Sequence, residues 1–267
     1  MTTLQAIIFD VDGTLADTED IHRQAFNLAF TEFDRDWNWS RDEYRQLLAV
    51  SGGRERIRQY LVERHPLGSA AETTELAVAM HRRKSAIYRE LLAGTGIRLR
   101  PGVERLLREA SAEGVRLGIA TSSSRRNLET LLQSALGDGR LEIFDAVVTC
   151  DVVEDKKPSP AVYTRAVADL GASPSRCVAI EDTRNGNLAA LAAGLKTVIT
   201  THSFTLDNDF SGAALVVDHL GEPGQPMQVL TGNSGTARFV DVALLERIVA
   251  GHAGTRARQP ASASVAK

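Results

Sequence analysis

The sequence predicts an α/β fold: a doubly wound parallel sheet with an all-helical unit inserted after its first strand and a small β-hairpin near the C-terminus. Three observations predict it. An apolar run, "AIIF" at 6–9, stops at Asp10-Val11-Asp12-Gly13 and gives way to a long stretch with apolar residues at helical spacing and no convincing strand. From Gly102 onward apolar runs alternate with helical stretches, the pattern of parallel strands covered by helices on both faces. Acids, hydroxyls and lysines cluster just after the apolar runs, where doubly wound sheets bind their ligands.

The elements follow in order. "AIIF" has no parallel partner close by in sequence, yet reads as buried on both faces, so it belongs in the middle of the later sheet. Residues 1–16 and 98–251 then form a discontinuous Rossmann-like core. Residues 17–97 form a helical cap, with helices expected near 19–33, 41–49, 53–64 and 72–93. A helix near 102–112 leads through Glu113-Gly114 to "VRLGIATSSS". There follow a helical stretch, "FDAVVTC", a helix over 159–170, "RCVAIEDT", a helix to Ala193, and "LKTVIT". "MQVLTGNSGTARFVD" reads as two short strands around Asn233-Ser234-Gly235, a hairpin on the sheet edge. "DVALLERIVAG" is a closing amphipathic helix, and 252–267, with little to bury, is expected to be a disordered tail.

Composition narrows the function classes. The 267 residues, 43% apolar, suit a soluble globular core carrying a smaller insertion. No run approaches the roughly 18 apolar residues of a membrane span, and the N-terminus lacks the pattern of a secretory signal, so a cytoplasmic protein without a membrane partner is expected. A net charge of −3 leaves no footprint for nucleic acid. Cys150 and Cys177 are too few and too far apart for a disulfide framework or a zinc site and are expected as buried free thiols. An anionic ligand must therefore be held by a local site.

Four strand ends carry that chemistry: Asp10 and Asp12; Thr121-Ser122-Ser123; Lys156-Lys157-Pro158; and Glu181-Asp182. Each has an ordinary explanation alone, as a turn, an N-cap, a solvated lysine pair or an acid complementing a helix dipole. Together they would ring one crevice. Crowded carboxylates resist ionisation unless a cation compensates, and Mg²⁺, which prefers oxygen ligands, is the economical one. The insertion adds Glu19 and His22 within one helical turn, the segment Gly52-Gly53-Arg54-Glu55-Arg56 opening a helix, where free amides and guanidinium groups could hold an anion, and the run His81-Arg82-Arg83-Lys84, of which only one or two can face the crevice.

"DVDGT", Thr121 after an apolar strand, "KKPSPAVY" and "EDTRNGNLAALAAG" resemble, in order and over most of the chain, the four motifs of the haloacid dehalogenase superfamily of phosphohydrolases. The helical insertion resembles that superfamily's C1 caps, and an acid at Asp12 argues against a dehalogenase. The resemblance implies that Asp10 attacks phosphorus and that Asp12 moves protons to the leaving group and from water. It implies that Asp10, the backbone carbonyl of Asp12 and Asp182 bind Mg²⁺, with Glu181 near or in the shell. Thr121, the Ser122 amide, Ser123 and Lys157 would surround the transferring phosphoryl group, Lys157 matching better than Lys156.

The cap segments "DTEDIHRQAFN", "WNWSRDEY", "SGGRERI" and "HRRKSAIY" resemble a narrower branch, the CbbY-like phosphatases. That likeness implies that Glu19 and His22 contact or position a sugar, that Arg56 and Lys84 hold a second phosphate beside Gly53 and Arg54, and that Tyr44 lines the pocket. It implies a small-molecule sugar bisphosphate as partner, namely xylulose 1,5-bisphosphate, an inhibitor of Rubisco, converted to xylulose 5-phosphate by a monomer. The alternatives are a β-phosphoglucomutase-type mutase, a phosphatase for another sugar phosphate, and a catalytically silent phosphosugar-binding module.

Overall fold

The structure is a computed structural model that describes residues 4–137 and 140–251; the expected tail at 252–267 lies outside them. The strands are β1 (Ala6–Phe9), β2 (Arg116–Ala120), β3 (Ala146–Val148), β4 (Cys177–Glu181), β5 (Lys196–Thr200), β6 (Leu215–Val217) and β7 (Val229–Gly232). They form one sheet in the order β3-β2-β1-β4-β5-β6-β7. All neighbours are parallel except β6 and β7. β1 lies between β2 and β4, the central place expected of a strand whose four residues are all buried.

Alternation along β1 builds two cores. Ile7 and Phe9 pack with apolar residues of α5 (Val103–Ala112), α6 (Arg125–Leu136) and α9 (Val242–Val249). Ala6 and Ile8 face the opposite way, against α7 (Ala161–Asp169) and α8 (Arg184–Ala192). This is the period-2 consequence of a strand buried on both sides. Side-chain caps start several helices: Ser124 Oγ accepts from the Asn127 amide at 3.4 Å, Thr183 Oγ1 from Gly186 at 3.0 Å, and Asp241 Oδ1 from Leu244 at 2.7 Å.

Between β1 and β2 lie α1 (Glu19–Glu32), α2 (Arg41–Leu47), α3 (Gly53–Arg64) and α4 (Ala70–Thr95). They enclose an aromatic cluster of Phe26, Phe30, Trp39, Tyr44 and Tyr60, which Phe204 joins from the loop after β5. The two connections between sheet and helices touch through a bridge between Ala16 and Leu99. Arg100, buried beside them, donates to the carbonyls of Gly13 (2.5 Å), Thr201 (2.6 Å) and Asp218 (2.8 Å), tying this junction to the end of β5.

Three details differ from the sequence reading. β6 was not anticipated, because three residues are too short for either a run or an alternation to show. The antiparallel edge pair consists of β6 and β7, and among the described residues no strand follows Asn233-Ser234-Gly235, so the turn there does not join two strands. Cys177 is a buried free thiol as expected, whereas Cys150 is only half-buried.

Candidate active site

The carboxyl ends of β1, β2 and β4 and the loop before α7 converge below the helical insertion. The floor of the resulting cavity carries Asp10, Asp12, Thr121, Ser122, Ser123, Lys157 and Asp182; its roof carries Glu19, His22, Tyr44, Gly53, Arg56, His81 and Lys84. Arg54 is not among the lining residues, because its guanidinium turns outward to Glu55. Of the basic run on α4, His81 and Lys84 face inward, three residues apart. Arg82 is exposed, and Arg83 pairs with Glu32 and Glu90.

Lys157 organises the floor. Its Nζ donates to Asp10 Oδ1 at 2.6 Å, to the Ala120 carbonyl at 2.9 Å and to Glu181 Oε1 at 2.5 Å. Lys156 instead reaches up to Glu55 of α3 at 2.7 Å, a link between sheet and insertion. Burial drives Asp10 well above the usual carboxylate range; Lys157 opposes this, and the charges of Glu181 and Asp182 add to it. Burial also raises Asp182, against the hydrogen bond from His202.

Glu181, with no exposed surface, is saturated. Oε1 accepts from Lys157 and from the Tyr163 hydroxyl (2.7 Å), and Oε2 from the Asp182 and Thr183 amides and the Thr183 hydroxyl. A side chain at Gly186, on the first turn of α8, would overlap this carboxylate, so the glycine of "EDTRNG" makes room for it.

Asp10, Glu181 and Asp182 each place a ligand atom within 4.8 Å of one another. Lys157 pairs with Asp10 and Glu181 while Asp182 faces His202, and the oxygens of the three carboxylates are the hard donors that Mg²⁺ takes. The donor set therefore fits that ion. Because the oxygens of Glu181 are engaged, Asp10 and Asp182 have the more available donor capacity.

Asp12 points away from that cluster. Its Oδ1 accepts from Thr18 Oγ1 at 2.7 Å, His22 Nε2 at 3.0 Å and the Tyr88 hydroxyl at 3.1 Å. Burial works against ionisation, but the interaction with His22 and the hydrogen bonds from Thr18 and Ser123 outweigh it and hold the carboxyl far below the usual range. On the other side of the imidazole, Lys84 Nζ lies 2.5 Å from His22 Nδ1. If Lys84 donates there, Nε2 is the nitrogen that carries hydrogen to Asp12.

In the roof, Tyr44 donates to Glu19 Oε2 at 2.8 Å and accepts from Arg56 Nη1 at 3.1 Å. Arg56 also donates to the carbonyls of Leu47 and Val50, holding the α2–α3 turn. Three of its five N–H groups are thus spent, and two remain for a ligand. His202, Tyr88 and Thr18 were missed by sequence reasoning. His202 lies two residues beyond β5, so the strand-end rule that found the other residues could have found it as well.

Residues 4–194 match the family model of the haloacid dehalogenase-like hydrolases. Among curated proteins, the chain is 43% identical over 254 residues to the plasmid-borne protein CbbY of Cupriavidus necator, covering 94% of this chain and 98% of that one. It is 34% identical over 208 residues to the β-phosphoglucomutase of Bacillus subtilis, covering 73% and 82%. Among solved structures, an aspartate-to-asparagine variant of CbbY from Rhodobacter sphaeroides in complex with xylulose 1,5-bisphosphate is 40% identical, with a TM-score of 0.76 over 83% of this chain and 96% of that one. Sequence and fold thus agree over most of the molecule, and the chain belongs to the haloacid dehalogenase-like hydrolases, as a phosphatase related to the CbbY proteins.

Proposed function

We propose that the protein is a Mg²⁺-dependent sugar-phosphate phosphatase that works through an aspartyl-phosphate on Asp10 and converts xylulose 1,5-bisphosphate to xylulose 5-phosphate and phosphate. The observation that carries this reading is the pairing of Asp10 with Lys157 on the floor of a cavity whose roof presents Lys84 and Arg56, one cationic centre at each end. The complex of the Rhodobacter CbbY variant with this same bisphosphate supports it.

In the first half-reaction a carboxylate oxygen of Asp10 attacks phosphorus, the Asp10 O–P bond forms, and the ester P–O bond breaks. Asp12, protonated, delivers its proton to the departing alkoxide. In the second, Asp12 takes a proton from water, the water oxygen attacks phosphorus, and Asp10 leaves as carboxylate with inorganic phosphate. Asp12 is held here in the ionised form, suited to the second step; bound phosphate would raise its proton affinity for the first. Thr121, the Ser122 amide and Lys157 face the place where the phosphoryl oxygens gather charge. Mg²⁺, held by Asp10 and Asp182 with the Asp12 carbonyl, would neutralise negative charge on the phosphate. The insertion grips the second phosphate, so binding energy remote from the bond broken orients the reacting end and excludes water.

Lys84 gives this reading a pH signature. Burial, with Arg56 nearby, pushes its ammonium down to about 7. Only the charged form attracts a phosphate, so kcat/KM for a bisphosphate, which reports the free enzyme, is expected to fall as pH rises through about 7. Lys84→Arg, which stays charged, moves that limb to higher pH. Stability runs the other way: between about 7 and the ordinary 10.5 the unfolded chain holds a proton that the folded chain has lost, so the contribution of Lys84 to stability rises with pH across this window.

The experiment is a Mg²⁺-dependent phosphate-release screen over sugar mono- and bisphosphates. Xylulose 1,5-bisphosphate is expected to give the highest kcat/KM. If it is no better than simple hexose phosphates, the substrate is wrong and the phosphatase stands. Conversion of glucose 1-phosphate to glucose 6-phosphate primed by glucose 1,6-bisphosphate, without net phosphate release, would replace the proposal by a mutase.

A further inference from the structure

His202 takes no part in the steps above, yet it touches a residue on which they depend. Its Nε2 lies 2.8 Å from Asp182 Oδ2, while the Phe204 amide nitrogen lies 3.4 Å from its Nδ1. With Nδ1 accepting that N–H, Nε2 carries the hydrogen and Asp182 accepts it. Thr14 Oγ1 donates to the other carboxylate oxygen, Oδ1, at 3.1 Å. Both oxygens therefore have a fixed donor, and rotation of the carboxylate would break both bonds.

The ring is itself held. The His202 amide donates to Thr205 Oγ1 at 3.2 Å, and its carbonyl accepts from the Thr205 amide at 2.8 Å. Gly13, at φ 87°, packs on the pair so closely that a side chain there would strike both Asp182 Oδ2 and His202 Nε2. The same loop is where the helical insertion lands. Arg41 donates to Ser203 Oγ at 3.1 Å, and Phe204, only 4% exposed, packs into the insertion's aromatic cluster.

We propose that His202 is a positioning residue for the divalent cation: its imidazole N–H fixes the Asp182 carboxylate in the orientation in which it ligates, and the loop bearing it is seated by the insertion. This rests on the Mg²⁺ reading above. Such outer partners of a ligating group are worth about 10–100-fold in metal affinity. Glutamine reaches about as far as the imidazole and retains an N–H, whereas methionine matches its length and donates nothing.

The test is calorimetric titration of Mg²⁺ into the full chain and into His202→Gln and His202→Met, with folding of the metal-free variants checked by thermal denaturation. His202→Met is expected to bind Mg²⁺ on the order of 10–100-fold more weakly, and His202→Gln within about 3-fold of the parent. Parental affinity in His202→Met overturns the proposal, and so does an equal loss in both variants, which would assign the effect to ring shape. Should a variant not fold, ¹⁵N spectra of histidine-labelled parent chain decide: hydrogen on Nε2 of His202 is expected, and a bare Nε2 refutes the proposal. A parent chain that takes up no Mg²⁺ overturns the metal reading, and this inference with it.

Discussion

Asp10→Asn is expected to abolish phosphate release, lowering kcat by at least about 10⁴-fold while leaving the chain folded, as loss of a nucleophile does in enzymes whose catalytic groups act as a unit. The amide keeps the shape of the carboxyl but cannot form the covalent bond to phosphorus. Burial, with the charges of Glu181 and Asp182 adding to it, already drives Asp10 well above its ordinary range, and Lys157 keeps Glu181 as a partner in the variant, so the fold is expected to persist. Phosphate release under saturating substrate and thermal denaturation of the metal-free protein check the two halves. Full activity in the variant would mean that water attacks phosphorus directly.

Lys157→Met is expected to damage both activity and stability. Its ammonium is the partner shared by Asp10 and Glu181, and both carboxylates are buried. Removing one partner of a buried ion pair costs about 3–5 kcal/mol, because the remaining charge is left uncompensated. For a chain of this size that corresponds to a fall in Tm on the order of 10 °C. The sign of the pH dependence follows. Burial already holds the Asp10 carboxyl above its ordinary range and Lys157 opposes this, so without Lys157 the folded chain keeps a proton on Asp10 that the unfolded chain releases, and the variant loses stability as pH rises from the acid range toward neutrality. Added Mg²⁺ should restore part of the loss. Denaturation curves at pH 5 and pH 7, with and without Mg²⁺, measure this; a variant as stable as the parent at pH 7 would show that the pairing with Lys157 contributes nothing to the fold there.

The fold was legible because its signals were strong and local. "AIIF" could be placed in the centre of the sheet from its burial pattern alone, and the four helices of the insertion fall close to where apolar spacing put them. The edge of the sheet was not legible. β6 has three residues, and all four residues of β7 are exposed, so neither carries the pattern that marks a buried strand. In the site, the residues at strand ends converge on one cavity because strand polarity puts them there. Arg54 differs because its neighbour Glu55 offers a solvent-side partner, and one helical step turns a side chain from cavity to surface. Tyr88 acts through a hydrogen bond to Asp12 across 76 positions, which leaves no local trace, whereas His202, which reaches Asp182, stands just past β5, where the strand-end rule applies.

The account rests on the division of labour between the two acids of "DVDG": the first binds phosphorus and the second moves protons. A crystal structure of the protein grown with Mg²⁺ and beryllium fluoride, a mimic of the bound phosphoryl group, tests this most directly. The account predicts the adduct on the carboxylate of Asp10, facing Lys157 and Thr121, with Asp12 unmodified; an adduct on Asp12, or on any other side chain, would contradict it.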